Sequence, residues 1–181
     1  MSFADKLSLV RIIFVPIFVS LLLYSKSFPF LKKIAIGVFV LAVLSDFLDG
    51  LVARIKKEKS SIGVVLDPLA DKLLLITAFI TLYLLKVFPY PPLWLVIIVV
   101  SRDFIILLGI VILTFLKIEV PISPSLWGKL TTFFQMITIL VMLSKLFPLL
   151  YLKIFWLLTA FFTLVSGALY LRRGILELSQ K

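Results

Sequence analysis

The sequence predicts an all-α polytopic membrane protein, with six transmembrane helices around a cytoplasm-facing polar cavity. Three observations predict it. Of 181 residues, 62% are hydrophobic and mean hydropathy is +1.23, against about half apolar in an ordinary soluble domain. The apolar residues gather into six runs of about 20 residues, the length that the hydrocarbon thickness demands. Four aspartates, Asp46, Asp49, Asp67 and Asp71, stand inside or against these runs. A lone carboxylate there costs several kcal/mol, so the four need a common compensating partner.

The runs follow in order. The first, Leu9–Tyr24, comes after a weakly charged start (Asp5, Lys6, Arg11) and lacks a small-residue cleavage site, so it reads as a retained span and not a signal peptide. Lys26, Pro29, Lys32 and Lys33 separate it from Ile34–Ala53, and a basic segment from Arg54 to Ser61 leads to Ile62–Leu85. Phe88-Pro89-Tyr90-Pro91-Pro92 precedes Leu93–Leu116, Pro121 and Pro124 precede Leu126–Leu143, and Lys145 and Pro148 precede Leu152–Leu171. Proline and charge are the punctuation expected between such spans. Phe155, Phe161 and Phe162 of the last span read as lipid-facing bulk, and Arg172 and Arg173 as stop-transfer charges. The loops are too short for a second domain and no internal repeat is visible, so residues 1–181 read as a single domain.

Charge sets the orientation. With the N-terminus inside, eleven Lys and Arg fall on the cytoplasmic side (Lys6, Arg11, Arg54, Lys56, Lys57, Lys59, Lys117, Lys129, Arg172, Arg173, Lys181) and six on the other. The positive-inside rule then puts both termini in the cytoplasm. The same topology gathers Arg11, the four aspartates and Lys129 at one membrane surface. The apolar runs Leu73–Leu85 and Phe104–Leu116 are too short to span alone, so part of their helices lines a polar cavity facing the cytoplasm. The net charge of +10 fits anionic headgroups, and no aromatic-basic interleaving suggests nucleic acid. The chain has neither Cys nor His, which removes disulfides, thiolate metal sites and the usual general base.

The spacing of the acids points to metal chemistry. Asp46 and Asp49 are i,i+3 near the end of one helix, and Asp67 and Asp71 are i,i+4 at the start of the next, so each pair shares a face. The short segment between them makes the helices an antiparallel hairpin with the two pairs facing each other. Four converging carboxylates without His or Cys form a hard, all-oxygen site suited to a pair of Mg²⁺ or Mn²⁺ ions. Gly50 and Ala53 lie on the face of Asp46 and Asp49, and Gly63 precedes Asp67 by four. Such small side chains let a bulky ligand or another helix come close. Arg54 offers a planar fork suited to phosphate oxygens.

Three further cations stand out. Arg102, beside Asp103 near the middle of the fourth span, meets a substrate phosphate, Asp103 itself or a motif aspartate. Lys129, in Trp127-Gly128-Lys129-Leu130-Thr131 with Gln135 one turn on, meets an acceptor phosphate or anchors at the interface beside Trp127. Arg11 is a positive-inside anchor or a third acceptor-binding cation. Lys72 snorkels or pairs with a carboxylate.

The pattern D-x2-D-G-x2-A-R-x8-G-x3-D-x3-D, from Asp46 to Asp71, resembles the signature of the CDP-alcohol phosphotransferase family of integral membrane enzymes and matches it at all eight fixed positions. Leu7-Ser8-Leu9-Val10-Arg11 with Pro16, Arg102-Asp103, and Gly128-Lys129 with Thr131 and Gln135 resemble the phosphatidylglycerophosphate synthase branch. The resemblance implies six transmembrane helices, a homodimer and a binuclear metal site held by Asp46, Asp49, Asp67 and Asp71. Asp71 is also the implied general base, and Asp46, Gly50, Arg54 and Gly63 would border the CDP moiety. The implied reaction moves a phosphatidyl group from CDP-diacylglycerol to sn-glycerol 3-phosphate and releases CMP.

The chain departs from the branch at two places. Thr131 replaces a second basic residue after Lys129, and Gly109 and Ile110 stand where a further Arg is common two turns after Arg102. The leading segment and I-x-x-x-S-R-D also resemble eukaryotic-type cardiolipin synthases, whose acceptor is phosphatidylglycerol. A divalent-cation transporter is the reading from another class. It fits less well because the acids sit at helix ends and no repeated half is visible.

Overall fold

Proline opens every second helix of this protein. The computed structural model describes residues 3–56, 63–86, 89–115 and 126–179, with side chains described within 10–45, 72–86, 89–109 and 126–175. Among the described residues the regular structure is six helices and no strand: α1 (Phe3–Tyr24), α2 (Phe30–Lys56), α3 (Gly63–Leu84), α4 (Leu93–Phe115), α5 (Leu126–Ser144) and α6 (Leu149–Ser179). Before α2 the Pro29 carbonyl accepts the Lys32 N–H. Before α4 the Pro92 carbonyl accepts those of Leu95 and Val96, and before α6 the Pro148 carbonyl accepts those of Tyr151 and Leu152. Proline suits such starts because its fixed φ is already helical and its missing N–H has no partner to lose in the first turn.

Three of the helix ends are capped by local chemistry. Lys86 and Lys145 adopt φ of 48° and 55° just beyond α3 and α5. A left-handed residue is a common helix stop, and a lysine there sets its charge against the negative end of the helix dipole. After α1 the Ser25 hydroxyl donates to the Leu22 carbonyl at 2.6 Å.

The helices form two three-helix units, Met1–Tyr90 and Pro91–Lys181. In the first, α1 packs against both α2 and α3. Its core is Phe18 and Leu22 of α1, Ala35, Phe39 and Ala42 of α2, and Leu74, Leu75, Ala78, Phe79 and Leu82 of α3, all buried. Ala35 and Ala42, one on each side of Phe39, keep α2 thin where the Phe39 ring meets Phe18 with centroids 5.6 Å apart. The five-residue connection between α1 and α2 makes them antiparallel neighbours.

In the second unit α6 packs against both α4 and α5. The α4–α6 contacts rise together along the two chains, Arg102 with Ser166 and Ile106 with Tyr170, so these helices run parallel. Those of α5 and α6 run in opposite order: Thr131 with Phe162, Thr138 with Thr159 and with Phe155. The seam is a hydroxyl ladder. The Thr131 hydroxyl donates to the Phe162 carbonyl at 2.9 Å, the Thr138 and Thr159 hydroxyls pair at 2.7 Å, and the Thr159 hydroxyl lies 3.2 Å from the Phe134 carbonyl.

Beside these apolar cores, polar side chains are buried between helices and large apolar ones face outward. Arg11, Asp103, Thr131, Gln135, Thr138, Thr159, Thr163 and Ser166 are buried, while Ile13, Leu41, Phe104, Phe133, Leu157 and Leu164 are each more than half exposed. Monomeric soluble proteins rarely show so much large apolar surface, whereas polar bonding between helices is the usual glue of membrane proteins. Among the described residues, two helical stretches are long and apolar enough to cross a membrane, Leu126–Ser144 and Leu149–Ile175. The six helices correspond one to one with the six expected runs, but α1 begins six residues earlier and α6 continues eight residues further than hydropathy indicates.

The expectation that the Phe-rich last helix is simply lipid-facing bulk is corrected in part. Phe161 does point outward, but Phe162 stacks on Phe134 with centroids 4.6 Å apart and an interplanar angle of 8°. Arg172 and Arg173 are exposed near the end of α6.

Candidate active site

The acidic motif lies on α2 and α3. In its described half, α2 buries Ala35, Phe39 and Ala42, alternating steps of four and three. Along the sequence, positions 46, 49 and 53 follow in the same steps of four and three. On α3 the buried set Leu74, Leu75, Ala78, Phe79 and Leu82 extends backward through positions 71 and 67 at the spacing of three, four and seven. The side chains of Asp46, Asp49, Arg54, Asp67 and Asp71, with Gly50 and Gly63, lie outside the described residues. The donor chemistry fits a hard divalent ion, since all four positions are carboxylates and the chain has no His or Cys to compete.

Arg11 is not a solvent-facing anchor. It is 1% exposed and shares the α1 face of Phe18 and Leu22, seven and eleven residues on. Because α1 and α2 are antiparallel, seven residues before Phe18 and seven after Phe39 lie at one height, about 10 Å from the ring contact. Arg11 and position 46 are therefore level. Arg11 is the ninth residue of α1 and position 71 the ninth of α3. Arg11 is not without a partner there, and an uncompensated guanidinium so buried would cost several kcal/mol.

In the second unit the structure joins Arg102 to Asp103, one of the partners the sequence allowed. Arg102 Nη1 donates to Asp103 Oδ1 at 2.5 Å, with the side chains 10% and 1% exposed. The second bond was not foreseen: Arg102 Nη2 donates to the Ser166 hydroxyl of α6 at 2.6 Å. Gly167 lies beside the stem, where a β-carbon would be 3.2 Å from Arg102 Cγ. Two turns along α4, Gly109 receives the ring of Tyr170, whose hydroxyl lies 3.4 Å from the Ile106 carbonyl. The position where a second arginine was sought is thus packed by an aromatic ring from α6. The only sequence hint of this seam was Ser166-Gly167, a polar and a small residue interrupting an apolar run.

The remaining candidates lie on α5 and α3. Lys129 is exposed in the first turn of α5. Trp127 is part-exposed, 6.1 Å from Phe162. Gln135 is 1% exposed, and its Nε2 has no hydrogen-bond partner among the described residues. Lys72 is half-buried on α3.

These features define an all-helical protein that gathers charge and hydroxyls between helices and turns apolar side chains outward. A family model for CDP-alcohol phosphatidyltransferase matches residues 1–165. The chain is 34% identical over 178 residues to CDP-diacylglycerol–glycerol-3-phosphate 3-phosphatidyltransferase of Rickettsia typhi, covering 93% of this chain and 94% of that relative. It is 30% identical over 186 residues to the Bacillus subtilis protein of the same name, covering 94% and 93%. Against cardiolipin synthase (CMP-forming) of Rattus norvegicus it is 31% identical over 164 residues, covering 78% of this chain and 53% of the relative, so the chain spans about half the length of that protein. The chain belongs to the CDP-alcohol phosphatidyltransferase family of enzymes.

Proposed function

We propose that this enzyme transfers a phosphatidyl group from CDP-diacylglycerol to the hydroxyl of sn-glycerol 3-phosphate, giving phosphatidylglycerophosphate and CMP. The observation that carries the reading is the near full-length match to two relatives named for that reaction, which covers 93% and 94% of this chain. The eight fixed positions of the motif support the same donor and the same chemistry.

In this reading Asp46, Asp49, Asp67 and Asp71 hold two Mg²⁺ or Mn²⁺ ions. Bound there, the ions would neutralise the charge of the pyrophosphate and of the departing CMP. Gly50, Arg54 and Gly63 border the CDP moiety together with Asp46, the glycines by leaving room and Arg54 by its fork of donors. Asp71 takes the proton of the acceptor hydroxyl. The freed oxygen forms a bond to the β-phosphorus, the bond from that phosphorus to the bridging oxygen breaks, and CMP leaves with the electron pair. An aspartate is a weak base at neutral pH, so positioning rather than basicity carries the rate. Arg102, Lys129 and Arg11 are the cations offered to the acceptor phosphate.

The two units act as one catalytic domain in this proposal, which is supported by a family match that runs across their boundary. The chain is a multi-pass membrane protein with six spans, both termini and the polar cavity facing the cytoplasm, and it works as a homodimer. The outward apolar side chains and the two long apolar stretches support the membrane reading.

The match to cardiolipin synthase supports a second acceptor, phosphatidylglycerol, with the same donor. The two separate in one experiment. Purified protein with CDP-diacylglycerol and Mn²⁺ is offered glycerol 3-phosphate or phosphatidylglycerol, and the lipid products are resolved by chromatography. Phosphatidylglycerophosphate as the product upholds the proposal; cardiolipin formed from phosphatidylglycerol alone overturns it.

A further inference from the structure

We infer that Ser166, with Gly167 beside it, is a positioning residue for the Arg102 guanidinium, and so a determinant of how well a phosphorylated acceptor binds. The inference rests on the reading that Arg102 meets the acceptor phosphate.

A guanidinium carries five N–H donors in a rigid plane. One donor on Nη1 goes to Asp103 and one on Nη2 to Ser166, and the two bonds together set the plane of the fork. Each of these two nitrogens carries a second N–H, and the side chain is 10% exposed, so the fork keeps donor capacity for another acceptor. Asp103, 1% exposed, balances the charge without filling the fork. Ser166 comes from another helix, 64 residues away in sequence. It is 3% exposed, which places the bond away from competing water. Gly167 completes the arrangement by sterics. A methyl there would stand 3.2 Å from Arg102 Cγ, tighter than ordinary packing, and would push the stem and the fork it carries. One hydroxyl and one missing side chain on α6 thus hold a cation on α4 that neither helix could orient alone. The ligand class this suits is an anionic oxygen of a phosphate monoester, for which a planar, pre-set fork loses less freedom on binding than a mobile one.

The test uses the full-length enzyme in detergent micelles with CDP-dioleoylglycerol and Mn²⁺, and measures initial rates of CMP release against glycerol 3-phosphate concentration. Ser166→Ala is expected to raise the KM for glycerol 3-phosphate about tenfold, the effect of losing one hydrogen bond to a charged group. Its kcat and its KM for the CDP-lipid should stay within about twofold of the parent. Ser166→Thr, which keeps the hydroxyl, should return the acceptor KM to within about threefold, and Gly167→Ala should raise it in the same direction as Ser166→Ala. Arg102→Ala is the control for the underlying reading and should raise the acceptor KM more than Ser166→Ala does. If Arg102→Ala raises the acceptor KM while Ser166→Ala leaves it unchanged, the positioning role is overturned and the acceptor role of Arg102 stands. If Arg102→Ala itself leaves the acceptor KM unchanged, the acceptor reading falls, and the positioning role with it. A loss of thermal stability in Ser166→Ala that lowers all rates equally and is not rescued by Thr assigns the hydroxyl to packing alone, and also overturns the inference.

Discussion

Phe18 of α1 and Phe39 of α2 meet with ring centroids 5.6 Å apart and planes inclined at 43°. Both side chains are fully buried. This contact sets the height of the two helices against each other, and so brings Arg11 level with position 46 of the acidic motif.

Phe39→Ala should therefore do more than open a hole. Removing a fully buried ring costs about 3 kcal/mol or more in a packed core. Thermal unfolding of the purified protein in mild detergent should show a clearly lowered midpoint, with CMP release falling even below that midpoint. Phe39→Leu, which keeps most of the volume, should lose about half as much. An unchanged midpoint in Phe39→Ala would mean that the ring contact does not hold the pair.

Arg11→Ala should destabilise the protein by about 3 kcal/mol, because whatever groups compensate the buried guanidinium are left facing each other. Arg11→Lys should recover only part of this, since a point charge does not reproduce the planar fork. An exposed anchor would behave differently, with either change staying within about 0.5 kcal/mol. Unfolding midpoints of the two variants, measured side by side, decide between these.

Removal of divalent ions by a chelator should abolish CMP release from CDP-diacylglycerol, and Mg²⁺ or Mn²⁺ should restore it. Asp71→Asn should lower kcat by about 10³-fold, the usual scale for loss of a general base, and added metal should not rescue it. Full activity in Asp71→Asn, followed by radiolabelled CMP, would remove Asp71 from the chemistry.

Thr138 and Thr159 give a test of the α5–α6 seam, because their hydroxyls are 2.7 Å apart between helices. Thr138→Val and Thr159→Val should each cost about 0.5–1 kcal/mol, as interhelical hydroxyl bonds in membrane proteins do. The double variant should cost less than the sum of the two, with a coupling energy of about 0.6 kcal/mol from a double-mutant cycle of unfolding in detergent. Strict additivity would mean that the pair is not energetically joined.

Most of the helix pattern was legible in the chain, because proline, lysine and apolar runs act locally. Pro29, Pro92 and Pro148 stand at the starts of α2, α4 and α6, where their carbonyls accept the first helical N–H groups. Hydropathy misjudged the outer ends. It stopped short of Asp5 and Lys6 in front and of Arg172 and Arg173 behind, whereas helical hydrogen bonds continue through charged residues, from Phe3 in α1 and to Ser179 in α6. The candidate site was legible in part. Arg102-Asp103 stood out as charge inside an apolar run, but the Ser166 bond did not, because a serine 64 residues away gives no local sign of its partner. The sequence leaves Arg11 open between an interfacial anchor and an acceptor-binding cation, because it distinguishes charge from apolarity and not a buried charge from an exposed one.

The sequence by itself determined the number and order of the helices, the carboxylate motif and the family. These depend on a 3.6-residue period and on spacings within a turn or two, which any reader of the chain can measure. The tertiary structure decided which faces meet: Arg11 turned inward beside Phe18, Phe162 stacked on Phe134, Gly109 filled by Tyr170, and Arg102 held between Asp103 and Ser166. The physical reason is that many of these side chains could face lipid or a neighbouring helix at similar local cost. Only packing between residues far apart in the chain makes one choice win.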